Sequence, residues 1–274
     1  MSAAARGPSD LGRVVAALPT LLRVGFAKVA VHPSRLFVAI LAENMSLVML
    51  VFWLAVVREG ALGRFGARQF TAYFLAAAVV RMLTACWLAS DINLEIRQGT
   101  LARRLIRPLH PFLGYAVDTV AALPVRLVVA LPIAVLIAVV GRGDVVDARV
   151  VWVVAPLALL GAWLLGLSVN LAIGALCLHW ERSLALWELW LGLVVVFSGY
   201  LLPLELFPGW LQAAVRGTPF PYLLAFPVEA MLGLVTPAQA LRALAVQWGY
   251  GLSFLLAALV LWARGLPRFV AYGG

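Results

Sequence analysis

The chain has 274 residues, of which 64% are hydrophobic and only 12% are charged, and its mean hydropathy is +1.02. A soluble domain of this length carries about twice that charged fraction, so the composition excludes a soluble globular protein and favours an integral membrane protein. The net charge of +9 comes almost entirely from arginine, because Lys28 is the single lysine. Since these charges flank apolar runs, they indicate an anionic membrane surface rather than nucleic acid as their partner.

An amphipathic helix is predicted over residues 11–31, ahead of the first long apolar run. Apolar side chains recur on one face at helical spacing. That face carries Leu11, Val14, Val15, Leu18, Leu22, Phe26 and Val29. Arg13 and Arg23 fall off it, and Pro19 is expected to kink the helix. No compact apolar core follows Arg6, which argues against a signal peptide, so we expect the helix to lie in the membrane interface.

Six apolar segments follow, each with about the 20 residues that a helix needs to cross a bilayer core. The predicted spans are 36–57, 70–90, 119–140, 152–178, 184–202 and 243–263. With the termini inside, the inner segments hold twelve Arg and Lys residues and the outer segments hold seven. The positive-inside rule therefore places both termini in the cytoplasm, although the outer loop 58–69 carries three Arg against this bias.

The most charged stretch, 91–114, lies in the predicted cytoplasmic loop between spans two and three. Gly99 breaks it, Thr100 can cap a new helix, and Pro108 ends that helix at about Arg107. One arc of the helix carries Leu101, Ala102, Leu105 and Ile106, and the opposite arc carries Arg103, Arg104 and Arg107. So short a helix is unstable alone in water, so its apolar face must pack on the lipid interface or in a groove of a partner protein. The pattern alone leaves both open.

The 203–233 region is apolar but too broken to span the membrane. Its prolines are Pro203, Pro208, Pro219, Pro221 and Pro227. Broken apolar segments are typical of re-entrant or interfacial helices, whose freed backbone groups must be satisfied by protein or a cavity. Trp210 suits an anchor at headgroup level, and Glu205 and Glu229 are expected to be solvated rather than to contact a substrate.

Four charged residues lie inside predicted spans, where each is energetically costly. They are Glu43, Arg81, Arg126 and Glu188, all predicted to lie in the cytoplasmic half of the membrane. We hypothesise that Glu43 pairs with Arg81 and Glu188 with Arg126, or that the four combine otherwise. Snorkelling to the inner headgroups is the alternative, above all for Arg126 and Glu188.

Motifs of soluble catalysis are absent from the sequence. It has no G-x-x-x-x-G-K-[ST] loop for ATP, no HExxH, no Cys/His set with metal spacing and no G-x-S-x-G elbow. Cys86 and Cys177 fall in or beside apolar segments, which favours buried thiols over a disulfide. We therefore expect neither an enzyme nor a metal or cofactor site in this chain.

Three stretches, together with the order of the segments, resemble the membrane subunits of type-2 ABC exporters. "EIRQGTLARRLIRPLHP" is similar to a cytoplasmic segment of the form I-x-x-G-T-L-x-x-x-L-[IL]-x-P. "SGYLLPLELFPGWLQ" resembles the S-G-x-x-x-P-x-x-x-x-P-x-W-[LI] of the wider family, and "RGLPRFVAYGG" resembles the short tail of one bacterial subgroup, with Phe269 where that tail has Tyr. The resemblance covers essentially the whole chain.

This resemblance implies a single permease domain over 1–274 that forms half of a translocation pathway in the inner membrane of a bacterium. A second permease would complete the pathway, with a heterodimer favoured over a homodimer, and two copies of a separate cytosolic ATPase would bind ATP and Mg. The 91–114 segment would be the coupling segment that enters a cleft of the ATPase. Its coupling residues would be Glu95, Arg97, Gly99, Thr100, Leu101, Leu105, Ile106, Arg107 and Pro108. The region around Pro203, Glu205, Pro208 and Trp210 would help to close the outer exit.

A second class of function stays open at this point. A polytopic assembly factor or an intramembrane lipid-modifying enzyme would also be permease-like but would have no transport ATPase. The apolar walls of the spans are compatible with amphipathic or lipid-like cargo, but any bundle of membrane helices has such walls.

Overall fold

The computed structural model describes residue 23 and residues 45–106, 109–140, 150–180 and 183–269. Over these residues the regular structure is helical, apart from one isolated β-bridge between Leu62 and Phe65. Four helical stretches of the described part are long and apolar enough to cross a membrane: Ala67–Arg97, Pro111–Ile137, Val151–Leu176 and Pro237–Arg268. Apart from Arg23, the predicted interfacial helix over 11–31 lies outside the described residues.

The helices are short at the chain reversals and long in the apolar segments. In chain order they are α1 (Met45–Val56), α2 (Ala67–Thr84), α3 (Leu88–Arg97), α4 (Ala102–Leu105), α5 (Pro111–Val120), α6 (Leu123–Val140), α7 (Ala155–Leu176), α8 (Ser183–Phe197), α9 (Gly209–Arg216), α10 (Ala225–Met231) and α11 (Pro237–Gly265). A π-helical turn, Val150–Val154, precedes α7, and 3₁₀ turns lie at Leu204–Leu206, Phe220–Leu223 and Leu266–Arg268. The apolar helices α1 and α8 are shorter than a full span, so the number of six spans stays a prediction.

Helix α2 lies at the centre of one hydrophobic core. Twelve of its 18 residues are buried and fall on every side of the helix, as is typical of a helix surrounded by others. It packs against α1, α6 and α10. Gln69 accepts a hydrogen bond from the Gly66 N–H at 3.2 Å and so satisfies a backbone donor at the start of the helix.

The second predicted span, 70–90, is interrupted in the structure. Residues 85–87 are not helical and separate α2 from α3. An arginine from α6 compensates for the lost hydrogen bonds, because one terminal nitrogen of Arg126 donates to the Met82 and Ala85 carbonyl oxygens at 3.2 and 3.0 Å. On the other side of the break, Asn170 of α7 accepts from the Ala89 N–H at 3.0 Å. Non-helical backbone at membrane depth needs such internal partners.

The last long helix, α11, begins six residues before the predicted 243–263 span. Thr236 caps it, since the Gln239 N–H donates to the Thr236 hydroxyl at 3.4 Å and the Thr236 N–H donates to the Gln239 side chain at 3.0 Å. Pro237 occupies the first turn, where its missing N–H costs nothing. Helix α11 packs most extensively on α7.

Helices α3 and α7 approach each other as closely as a glycine allows. A Cβ atom at Gly174 would lie 2.6 Å from Ile92 Cδ1 and 3.0 Å from Ile92 Cβ. Gly174→Ala is therefore expected to force α3 away from α7 and to lower the free energy of unfolding by about 1–3 kcal/mol, the usual cost of overpacking.

Thermal unfolding of the purified protein in detergent measures this effect. Gly192→Ala is the matched control, because Gly192 also lies within a helix but no atom lies within 4 Å of its added Cβ. Alanine should be neutral or stabilising at Gly192. Equal shifts of the two melting temperatures would show that α3 is not packed as described.

Candidate functional site

The 91–114 segment folds back on itself at Gly99. Its φ of +69° lies in the left-handed region that favours glycine. The chain reverses there, so that the Leu101 N–H donates to the Glu95 carbonyl oxygen at 3.1 Å. The predicted Thr100 cap is wrong: the Thr100 hydroxyl points back to the same Glu95 carbonyl at 3.4 Å, and α4 begins only at Ala102. The tight return of the chain draws this hydroxyl toward the end of α3.

The predicted apolar face of the segment is divided by the fold. Leu101 is completely buried, in a core formed with side chains of α3, α5, α7 and α11, and Leu105 packs against that core. Ile106, in contrast, is 85% exposed. A common apolar surface of Leu101, Leu105 and Ile106 for a partner is therefore wrong, because two of the three contact their own chain.

The polar side of the segment forms a compact group of four side chains, the Glu95 cluster (Glu95, Arg104, Tyr115 and Asp118). The Arg104 Nε atom donates to both carboxylate oxygens of Glu95, at 3.0 and 2.9 Å. The two terminal nitrogens of Arg104 donate to one carboxylate oxygen of Asp118, each at 3.2 Å. The Tyr115 hydroxyl donates to Glu95 at 2.7 Å, and the guanidinium lies over the Tyr115 ring, 4.2 Å from its centroid.

One arginine thus joins three helices: Glu95 lies in the last turn of α3, Arg104 belongs to α4, and Asp118 belongs to α5. Burial by itself would lower the pKa of Arg104, but the hydrogen bond and the charge of Glu95 outweigh burial and hold that pKa above its ordinary value. Arg104 therefore stays charged at physiological pH. The cluster positions α4 rigidly against the end of the helical bundle.

Two members of the cluster were missed by the sequence reasoning, and a third was misplaced. Arg104 was assigned to the arc opposite the apolar face, together with Arg103 and Arg107, and neither Tyr115 nor Asp118 was singled out. A usable signal existed, because Tyr115 and Asp118 stand three residues apart on a helix that begins at Pro111 and so share one face. Nothing local pairs that face with Glu95, which lies 20 residues before Tyr115.

The comparisons with known proteins assign the family. A sequence model of the family described as "ABC-2 family transporter protein" matches residues 42–273. The chain belongs to the ABC-2 transporter family. It is therefore an ABC-2-type permease subunit, a multi-pass membrane component that is not itself catalytic, and the family implies a partner ATPase. The resemblance found in the sequence is confirmed at this level. No protein of curated function matches the chain.

Of the four charges inside the predicted spans of the permease, Arg126 does not have the partner that was predicted for it. It donates to the Met82 and Ala85 carbonyls and does not pair with Glu188, which is an exposed residue of α8. The guanidinium binds the carbonyl groups that the helix break leaves without backbone partners. No pattern in the sequence predicts this break. The Glu43–Arg81 pair involves a residue outside the described ranges, as do the predicted coupling residues Arg107 and Pro108.

The 203–233 region of the permease consists of short helices and turns, of which α10 packs against α2 and α7. Glu205 forms an ion pair with Arg64 of the 58–69 loop. The Trp53 indole N–H donates to the Leu201 carbonyl oxygen at 2.7 Å, and the Tyr73 hydroxyl donates to the Gly199 carbonyl oxygen at 2.9 Å.

The prolines of this region stand where helices start. Pro203 precedes the turn Leu204–Leu206, and Pro208 precedes α9. Trp210, in the first turn of α9, is 74% exposed, which suits the predicted headgroup anchor. Cys86 and Cys177 are not joined in a disulfide. Within the described ranges no group of three His, Cys, Asp or Glu side chains is placed to hold a metal ion.

Proposed function

We propose that this permease forms half of the translocation pathway of an ATP-driven exporter in the inner membrane of a bacterium. In this arrangement the chain has six membrane-spanning helices and both termini in the cytoplasm. It pairs with a second permease, and two copies of a separate cytosolic ABC ATPase bind the pair. A heterodimer of permeases is favoured by the resemblance of the C-terminal tail to one bacterial subgroup. ATP and Mg belong to the ATPase, and the 203–233 region helps to close the exit.

The observation that carries the proposal is the geometry of the 91–114 segment. Leu101 is anchored in the core, and the Glu95 cluster fixes α4 to α3 and α5, while Ile106 projects away with 85% of its surface exposed. Among the described residues, no other large apolar side chain is as exposed. A rigid corner with one projecting apolar side chain is suited to insertion into a cleft of a partner and to transmission of its movement to the helices as a rigid body.

The charges around Ile106 agree with an acidic partner. Arg97 and Arg103 stand nine and three residues before Ile106 in the chain and have exposed side chains, and Arg104 is bound within the Glu95 cluster. We therefore expect Ile106, Arg97 and Arg103 to contact the ATPase, and Leu101, Leu105 and Glu95 to position them. Of the nine coupling residues that the resemblance implies, Arg97 and Ile106 are thus expected to contact the ATPase directly.

Co-purification tests the proposal. The tagged permease is solubilised in mild detergent from its native membrane. We expect a P-loop ATPase and a second permease to co-purify with it, with as many ATPase chains as permease chains. Quantitative mass spectrometry of the complex measures these ratios. A stable chain that purifies without any ATPase would overturn the exporter and favour an assembly factor or an intramembrane lipid-modifying enzyme.

A further inference from the structure

Arg81 is a cation within a membrane-spanning helix that has no acidic partner among the described residues. It lies fourteen residues after the start of α2 at Ala67, which corresponds to about 21 Å along the helix and places it deep in a bilayer core of about 30 Å. Its Nε atom is buried and makes no hydrogen bond. Among the described residues, no carboxylate lies within ion-pair distance of Arg81. A charge at this depth is costly and marks a functional site by default.

The guanidinium is held in place rather than neutralised. Its central carbon lies 5.4 Å from the centroid of the Tyr200 ring, a cation–π contact that orients the planar group without supplying a negative charge. The Arg81 Nε–H therefore has no hydrogen-bond acceptor among the described residues and is available to a ligand. Arg126 reaches the same helix break but cannot take this role, because its guanidinium already donates to the Met82 and Ala85 carbonyls.

Arg81 opens into a cavity at the break between α2 and α3. The cavity has a volume of about 50 Å³ and is lined by Arg81, by Asn170 and by three indole rings, those of Trp87, Trp187 and Trp190. This space holds a few water molecules and thus a carboxylate or phosphate group, but not a whole amphipathic molecule. Trp87 is 44% exposed, so an apolar chain attached to the bound group can extend along the indoles toward the surface of the subunit.

We propose that Arg81 recognises the anionic group of an amphipathic cargo, whose apolar part lies against the indoles of Trp87, Trp187 and Trp190. Guanidinium groups bind carboxylates and phosphates through paired hydrogen bonds, which an ammonium cannot reproduce. The assignment of the ligand as cargo rests on the proposed exporter function, whereas the anion site itself does not. An anionic membrane lipid has the same chemistry and could be the source of the group.

Bromododecyl phosphate tests the site, because bromine quenches tryptophan fluorescence on contact. The full chain is reconstituted in nanodiscs of zwitterionic lipid and titrated with this probe or with the neutral bromododecanol. We expect saturable quenching by the phosphate only. Arg81→Gln should weaken phosphate binding about ten-fold or more, Arg81→Lys should weaken it less, and the exposed control Arg242→Gln should leave it unchanged.

The site would be overturned if Arg81→Gln bound the phosphate probe as tightly as the wild type, or if the neutral probe bound equally well. It would also be overturned if the phosphate probe bound strongly only after Glu43→Gln, because Arg81 would then serve an internal ion pair. Gel filtration checks that Arg81→Gln is folded, and Arg81→Lys gives an independent comparison if it is not. Repeating the titration in phosphatidylglycerol nanodiscs identifies the source: loss of probe binding there supports a lipid occupant of the site, and retained binding supports cargo. No ATPase takes part, so a failure of the exporter proposal leaves this result intact.

Discussion

Replacement of Ile106 by aspartate is expected to uncouple the permease from its ATPase, with a loss of transport of at least ten-fold. Ile106 is 85% exposed, so the free permease loses no internal packing. In the complex, the buried carboxylate would have to be desolvated in an apolar cleft, which costs more than the lost contact itself. The ATPase rate of the co-purified complex and the amount of ATPase retained on the tagged permease measure the effect.

Leu62→Asp is the matched control for Ile106→Asp. Leu62 is an apolar residue, 38% exposed, in the loop before α2, at the opposite end of that helix from the 91–114 segment. The control should bind and stimulate the ATPase as the wild type does. Full coupling in the Ile106→Asp variant would exclude Ile106 from the contact with the ATPase. Arg97 and Arg103 would then remain as the candidate contact residues.

Replacement of Arg104 by methionine is expected to lower the free energy of unfolding by about 2–3 kcal/mol. The change leaves two carboxylates, those of Glu95 and Asp118, beside each other without their common cation, and a partly buried charge without a partner is strongly destabilising. The side chains of Arg104 and Glu95 are only 20% and 22% exposed, so solvent screens the pair incompletely. We place the value below that of a fully buried pair because this exposure remains.

Arg103→Met is the matched control, since it removes the same charge from the neighbouring, exposed residue. Its effect on thermal unfolding should stay within about 0.5 kcal/mol. A double variant, Arg104→Met with Glu95→Gln, should lose less than the sum of the single variants, because the two residues interact directly. Similar losses for Arg103→Met and Arg104→Met would mean that the Glu95 cluster does not hold the corner together.

The two variants also separate positioning from contact. Ile106→Asp should abolish the ATPase interaction in a stable permease, whereas Arg104→Met should weaken both stability and coupling. If Arg104→Met couples normally at low temperature, where the fold survives, the rigid corner is not needed for transmission.

The sequence by itself determined the class of protein and the position of most of its apolar helices. The reason is that both depend on composition and on local periodicity: a membrane span needs about 20 apolar residues, and the family motifs around Gly99 and Trp210 are contiguous. Gly99 was predicted as a break and adopts a left-handed φ, because a local conformational preference acts within a few residues. Even so, the capping box of Thr236 and Gln239 was a local signal that the predicted start at residue 243 overlooked.

Only the tertiary structure decided what happens where distant segments meet. The break at 85–87 contains neither proline nor glycine, and its freed groups are satisfied by Arg126 and Asn170 from two other helices. Helical periodicity put Leu101 and Ile106 on one face, but the chain reversal at Gly99 buries the first and exposes the second. A local pattern tells which side chains share a face; which face meets the core, a partner or a cavity depends on packing partners far away in the chain.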